Sequence, residues 1–161
     1  MPPGLRGSIG RCLGARMGAG SFHMPDYHDH LGFGHVHDES DENEDCEWEV
    51  KFFEGIVANA PNYAEALTSL GNLYTRCGHY DKGLDIDRKL VRLRPEDPIV
   101  HYNLACSLSL LDELSEALAE LEKAIALGYN DYAYMLGDED LRNVRQDPRF
   151  FELMARFHKP V

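Results

Sequence analysis

The fold is decided by residues 64–97, AEALTSLGNLYTRCGHYDKGLDIDRKLVRLRPED, because the next stretch repeats their pattern. That stretch, residues 98–131, reads PIVHYNLACSLSLLDELSEALAELEKAIALGYND. An offset of 34 residues places large apolar residues on large ones and small residues on small ones. The pairs include Leu70 with Leu104, Gly71 with Ala105, Gly83 with Ala117, Leu84 with Leu118 and Leu93 with Leu127. Apolar residues recur three or four positions apart within each unit, so the sequence predicts two successive helical hairpins.

This pattern resembles the tetratricopeptide repeat, a helix–turn–helix unit of 34 residues. The family places are filled here by Leu67, Leu70, Gly71, Tyr74, Gly83, Leu90 and Pro95, and then by Leu104, Ala105, Leu108, Ala117, Leu121 and Ala124. Two residues depart from the family pattern, Asp87 at a place where an apolar ring is usual and His101 at a place for a bulky apolar residue. A half repeat precedes, with Phe53, Ile56 and Pro61 at the corresponding places.

The C-terminal residues resemble the terminal segment of bacterial tetratricopeptide arrays. The similarity lies in the order of acidic, apolar and basic residues between positions 138 and 150. These are Asp138, Asp140, Leu141, Val144, Arg145, Asp147, Pro148, Arg149 and Phe150. The end of a helical array exposes an apolar face that a terminal unit must cover, so we expect residues 131–158 to form a helical cap.

The predicted fold is therefore all-α, a short right-handed α–α superhelix of about two repeats. The expected order is a Gly-, His- and acid-rich disordered tail over 1–44, repeat helices over 45–130 and the cap over 131–158. Within the array, a half repeat over 45–61 has its helix from about Cys46 to Asn59. Full repeats follow at 64–97 and 98–131.

Residues that favour helix ends support these boundaries. Asn62, Asp97 and Asp147 precede helical patterns, and proline follows the latter two at the first helical position. Gly78 and Gly128 stand where helices should stop.

The charge distribution argues against nucleic acid as a partner. The formal net charge is −12. Residues 1–25 carry +3, residues 26–54 carry −10 and residues 55–161 carry −5. Since there is no basic stripe to displace counterions from phosphates, the pattern is not that of a nucleic-acid-binding protein.

Cysteine spacing and hydropathy indicate a cytoplasmic protein. Cys12, Cys46, Cys77 and Cys106 are scattered and form no C-x-x-C pair, which favours reduced thiols. No apolar run approaches the ~20 residues that a membrane helix requires. The first residues lack the apolar core of a secretory signal, and Met17 or Met24 is an alternative start.

His101 and Cys106 raise the question of catalysis. A five-residue step along a helix turns the side chain by about 500°, so the two point roughly 140° apart and do not pair. We expect His101 to be a satisfied, partly buried imidazole and Cys106 to line a groove. The sequence also carries no phosphate loop, H-E-x-x-H or G-x-S-x-G motif. We therefore predict a protein that is not an enzyme and has no cofactor.

The resemblance implies a protein-interaction module, an adaptor, scaffold or co-chaperone-like protein that binds a partner's peptide segment in a concave groove. The implied groove residues are Thr68, Asn72, Thr75, Arg76, Tyr102, Asn103, Cys106 and Ser109. Asn72 and Asn103 matter most, because an amide can donate to and accept from an extended peptide backbone. Some family members use a lysine to hold a C-terminal carboxylate, but Thr68 takes that place. A weak homodimer through the N-terminal helix is a further expectation.

A metal-handling protein is the alternative function. His28, His30, His35 and His37 form two H-x-H pairs, and in an extended chain residues two apart share a face and can chelate zinc, nickel or copper. The competing interpretation is a flexible acidic tail.

Overall fold

Helices account for all regular structure in the computed structural model, which describes residues 39–157 and, from residue 46 onward, their side chains. The α-helices are α1 (Glu39–Asn59), α2 (Ala64–Arg76), α3 (Tyr80–Leu93), α4 (Pro98–Leu110), α5 (Leu114–Ala126), α6 (Tyr132–Gly137) and α7 (Pro148–Phe157). Two short 3₁₀ turns, Glu139–Leu141 and Val144–Gln146, lie between α6 and α7. No strand occurs among these residues.

The helices pack in the order in which they occur along the chain. α1 contacts α2, α2 contacts α3, α3 contacts α4, and α4 contacts α5. After that the path changes, because the turn Glu139–Leu141 returns to α4 and α7 packs on α5. The predicted all-α solenoid of stacked hairpins is confirmed, with α2–α3 as the first hairpin and α4–α5 as the second.

Helices end at the expected glycines and begin at the expected aspartates. Gly78 and Gly128 have φ angles of +76° and +110°, a region in which glycine carries no Cβ penalty. The Asp97 carboxylate accepts a hydrogen bond from the Ile99 amide at 2.9 Å, which caps α4. Asp147 caps α7 in the same way, through the amide of Arg149. Asn62 does not cap α2, since Tyr63 takes that position without a side-chain cap bond.

The first helix differs from its prediction in length and in how it is attached. α1 begins at Glu39, within the acidic residues assigned to the tail, rather than near Cys46. A disulfide joins Cys46 to Cys77, with Cα atoms 6.0 Å apart, and so ties α1 to the C-terminal end of α2. The expectation of reduced, unpaired thiols is therefore wrong for these two cysteines. Spacing of 31 residues carries no signal for such a pair.

Hydrogen bonding and apolar packing reinforce the attachment of α1. Val50 is buried in a cluster with Leu70, Leu73 and Tyr74 of α2. The Tyr74 hydroxyl donates to the Glu54 carboxylate at 2.5 Å, and burial is the main reason that the Tyr74 pKa is raised above its ordinary value. The lone N-terminal helix is thus held firmly against the first hairpin.

The largest apolar cluster lies between the second hairpin and the C-terminal segment, by which we mean residues 132–157. The segment contributes Leu141, Val144 and Phe150, all with no exposed surface. Burying one such side chain stabilises the fold by roughly 1.5–3 kcal/mol. The C-terminal segment is therefore part of the core.

Candidate functional site

Two rows of side chains lie on α2 and α4, and we call them the first row and the second row. Three positions are equivalent at the 34-residue offset, namely Thr68 with Tyr102, Asn72 with Cys106 and Thr75 with Ser109. The first row consists of Thr68, Asn72, Thr75 and Arg76. The second row consists of Tyr102, Asn103, Cys106 and Ser109. The first row is at least partly exposed and the second row is buried, and this difference in exposure defines the candidate site.

The first row is open. Thr68, Asn72 and Thr75 are partly exposed, and Arg76 is exposed. The Thr68 hydroxyl donates to the Ala64 carbonyl at 3.0 Å, one turn back along α2. Arg76 pairs with Glu49 of α1. The row thus combines three partly exposed polar side chains with a partly neutralised guanidinium.

The second row is covered by the C-terminal segment. Tyr102 is 2% exposed, Ser109 is 0% exposed, and Asn103 and Cys106 are also buried. The Tyr102 hydroxyl donates to Asp138 at 2.6 Å. Ser109 accepts hydrogen bonds from the segment at its hydroxyl, from the Val144 amide at 3.3 Å, and at its backbone carbonyl, from the Asn143 side chain at 3.0 Å. While the segment is in place, the second row cannot contact a partner.

The aromatic rings of Tyr129 and Tyr134 pack near Tyr102 of the second row. The rings of Tyr102 and Tyr129 lie parallel with centroids 4.3 Å apart, and Tyr134 lies 6.1 Å from Tyr102. Burial raises the pKa of Tyr102 well above its ordinary value, with the nearby Cys106 and Asp138 adding to the effect. Tyr102 therefore stays protonated and acts as the donor to Asp138.

The C-terminal residues that cover the second row were not identified as site residues from sequence. Asp138 is buried, accepts from Tyr102 and from the Asp140 amide, and its own carbonyl accepts from Arg145. A signal was available, because at the 34-residue offset Thr68, Asn72 and Arg76 become Tyr102, Cys106 and Leu110. That change from polar to apolar indicates a covered face.

His101 is a structural residue with both ring nitrogens satisfied. Its side chain is fully buried. Nε2 lies 2.8 Å from the Pro95 carbonyl and Nδ1 lies 2.5 Å from the Glu120 carboxylate. A carbonyl oxygen only accepts, so Nε2 carries a hydrogen and donates it. The prediction of a satisfied imidazole is confirmed, although His101 is completely rather than partly buried.

The Cys106 thiol lies beside a carboxylate. The buried thiol donates to Asp138 Oδ2 across 3.8 Å. His101, five residues earlier, is hydrogen-bonded to Glu120 and Pro95 instead. These two residues therefore do not form the nucleophile and base that their stretch of sequence could have suggested.

Asp87 and Ser107 form a hydrogen bond where α3 of the first hairpin packs against α4 of the second. The Ser107 hydroxyl donates to the Asp87 carboxylate at 2.6 Å, and both side chains are buried. Burial raises the Asp87 pKa to about 7, although the hydrogen bond from Ser107 acts in the opposite direction. Asp87 is thus an ionisable group at a place that apolar residues usually fill, and it faces no open surface.

Neither metal-binding clusters nor membrane-spanning helices occur in the described part of the chain. Among residues 39–157, no group of three or more His, Cys, Asp or Glu side chains is arranged to hold a metal ion. His28, His30, His35 and His37 lie outside the described residues. No helix within the same range has the length and apolar character needed to cross a membrane.

Comparison with known proteins gives two distant similarities. No family model matches the sequence. The chain is 29% identical over 90 residues to a chloroplastic protein of Arabidopsis thaliana, an alignment that covers 54% of this chain and 27% of that protein. It is 29% identical over 113 residues to Anaphase-promoting complex subunit 3 of Schizosaccharomyces pombe, covering 69% of this chain and 16% of that protein. The latter is a tetratricopeptide-repeat protein, which agrees with the repeat pattern seen here.

Proposed function

We propose that this chain is a non-catalytic protein-interaction module that binds a peptide segment of a partner protein along the first row. An adaptor, scaffold or co-chaperone-like role fits such a module. Two findings support the proposal, the stacked helical hairpins and the similarity to a tetratricopeptide-repeat subunit of a protein complex. The chain spans 27% and 16% of the lengths of its two relatives, so their complete activities are not transferred to it.

One observation carries the proposal, the contrast between the open first row and the covered second row. In the second row, α4 already binds a polypeptide segment, and it does so with the Ser109 hydroxyl and carbonyl and the Tyr102 hydroxyl. The 34-residue offset places Thr75 at the position of Ser109. We expect the Thr75 hydroxyl to accept a backbone amide hydrogen bond from a bound peptide, as Ser109 accepts one from Val144.

Asn72 is the central contact in this proposal. It stands at the position of Cys106 and is partly exposed. A side-chain amide offers a donor and an acceptor together, so it can pair with both groups of an extended backbone whatever the peptide sequence. The four residues of the second row can bind a partner's peptide only if the C-terminal segment leaves α4. With a single open row, affinity for a peptide should be modest.

The other expectations from sequence stay predictions. These are the bacterial type of the terminal cap, the weak homodimer, the cytoplasmic location and metal binding by the N-terminal histidines. The Cys46–Cys77 disulfide weighs against a reducing compartment, because such bonds persist mainly in oxidising ones.

Affinity capture with the full chain tests the proposal. Wild type, the Asn72→Ala/Thr75→Ala double variant and an Asn130→Ala control are compared by quantitative mass spectrometry. Asn130 is an exposed amide that follows α5 and is not part of the first row. A fragment of the captured protein is then titrated by fluorescence anisotropy. Losing two hydrogen bonds of about 1 kcal/mol each should weaken binding roughly thirtyfold. Equal capture and equal affinity for wild type and the double variant would refute it.

A further inference from the structure

The N-terminal helix α1 exposes an aromatic surface. Trp48 is 67% exposed and Phe52 is 52% exposed. Their rings stack with centroids 5.8 Å apart, and Phe52 meets the ring of Phe53 edge-on at 5.3 Å. Clustered aromatic rings on a protein surface mark an interaction site more often than single exposed residues do.

The internal repeat indicates which kind of structural element would pack on this aromatic surface. An offset of 34 places Trp48 at Lys82 and Phe52 at Ile86, both on α3. The Lys82 ammonium lies 5.2 Å from the centroid of the Tyr74 ring on α2. The Ile86 side chain lies against Gly71, also on α2, 3.2 Å from where a Cβ would stand. Both equivalents therefore contact the first helix of their own hairpin.

The second hairpin repeats the relationship at the position of Phe52, whereas the equivalent of Trp48, Glu116, pairs with Arg88 of α3. A further offset of 34 takes Phe52 to Glu120, which contacts His101 of α4, again the first helix of its hairpin. Leu121 and Ala124 of α5 are fully buried, whereas the equivalent residues of α1, Phe53 and Ile56, are only partly buried. The aromatic face of α1 thus corresponds to the seat of a first helix that the described residues do not supply. We call it the helix seat.

The acidic charge of α1 favours a basic helix as the occupant of the helix seat. α1 carries eight Asp or Glu residues and one Lys, a formal charge of −7. A second copy of the same acidic helix would be repelled, whereas a helix bearing lysine or arginine would be attracted. The seams of both hairpins also place a small residue, Gly71 or Ala105, on the first helix. The contacting face of the occupant should therefore combine small and large apolar residues.

We infer that the helix seat, formed by Trp48, Phe52, Phe53 and Ile56, binds a basic amphipathic helix of a partner protein. The bound helix would complete the half hairpin as α2 completes the hairpin with α3. The disulfide and the Glu49–Arg76 ion pair hold α1 in place, so the seat is formed before the partner arrives. The seat shares no residue with the first row, and the inference does not depend on the proposed peptide site.

The seat can be monitored without a label, because Trp48 is the single tryptophan of the sequence. The probe is an 18-residue amidated peptide of leucine, alanine and lysine with apolar residues at helical spacing. One control peptide has the same residues in scrambled order, and another has glutamate in place of lysine. The full-length protein is titrated with each. We expect the lysine peptide to shift Trp48 emission to shorter wavelengths with saturation, and both controls to bind at least tenfold more weakly.

Variants then locate the site by anisotropy of the labelled lysine peptide. Phe52→Ala removes half of the ring stack and should weaken binding by about tenfold or more. Leu136→Ala removes an equally exposed apolar side chain from α6, and it should change affinity less than twofold. The Asn72→Ala/Thr75→Ala variant should bind as wild type does. A loss in that variant would place the peptide in the first row and overturn the inference.

Three other results would also overturn it. One is the absence of an emission shift, or an equal shift with a control peptide. Another is wild-type affinity in Phe52→Ala. The last is protection of Trp48 from acrylamide quenching in the protein alone, since the seat would then already be covered. Sedimentation equilibrium would distinguish a second copy from the chain's own N-terminal residues in that case.

Discussion

Replacing the buried carboxyl of Asp87 with the amide of asparagine is expected to remove a pH-dependent loss of stability. The Asp87 side chain is enclosed between α3 and α4, where Ser107 donates to it at 2.6 Å. An asparagine oxygen can accept the same hydrogen bond. The space is also unchanged, because the amide has nearly the volume of the carboxyl group.

The magnitude follows from the shift in the Asp87 pKa. Burial raises this pKa from 3.8 to about 7 in the folded protein. As the pH rises from 4 to 7, the unfolded chain releases the Asp87 proton before the folded chain does, so the folded state loses stability. Above pH 7 the loss levels off. A shift of about three units corresponds to about 4 kcal/mol.

Urea unfolding followed by circular dichroism at 222 nm measures this effect. The quantity to compare is the difference in the free energy of unfolding between Asp87→Asn and wild type at pH 4, 5, 6, 7 and 8. Carboxyls common to both proteins cancel in that difference, including Glu65 and Asp147, whose pKa values are lowered mainly by hydrogen bonds from Arg94 and Arg149. The exposed Asp85→Asn variant is the matched control.

The difference should grow by about 3 kcal/mol from pH 4 to pH 7 in favour of Asp87→Asn and then level off by pH 8. A difference that does not vary with pH would refute the reasoning. So would an equal variation in the Asp85→Asn control.

Two further substitutions test how the array is held together. Cys77→Ser removes the disulfide that closes a loop of 31 residues, and chain entropy predicts a loss of roughly 3–4 kcal/mol in urea unfolding; a loss below 1 kcal/mol under non-reducing conditions would contradict the pairing. His101→Leu leaves Glu120 and the Pro95 carbonyl without their donor in a buried site, and we expect it to lower the thermal midpoint and cost about 2–5 kcal/mol. A Leu136→Ala control should cost less than 1 kcal/mol, and an equal loss in both would contradict the structural role of His101.

Local pattern was sufficient to predict the helices of the two hairpins. Helical spacing of apolar residues located α2 to α5 to within a few residues of their ends. Gly78, Gly128 and Asp97 were sufficient to mark boundaries, because each acts on the backbone within one turn of itself. Such features depend only on neighbouring residues, so they can be recognised without knowing the rest of the fold.

Contacts between distant parts of the chain explain what the sequence did not predict. Tyr102 meets Asp138 across 36 residues and Cys46 meets Cys77 across 31, and neither pairing leaves a local pattern. The family resemblance suggested that both rows would line a groove, because first helices do so in that family. The structure instead buries every residue of α4 from Val100 to Ser109, as expected for a helix that is largely apolar around its circumference.

Residues 72 and 106 occupy the same place in successive hairpins, so they offer the most direct test that the first row is open and the second is covered. The Asn72→Cys variant of the full chain is treated with a maleimide under non-reducing conditions, and peptide mass spectrometry follows the rates at positions 72 and 106. We predict that Cys106, 1% exposed, reacts at least a hundredfold more slowly than the cysteine introduced at position 72. Equal rates at the two positions would contradict the account, because the C-terminal segment would then not cover α4.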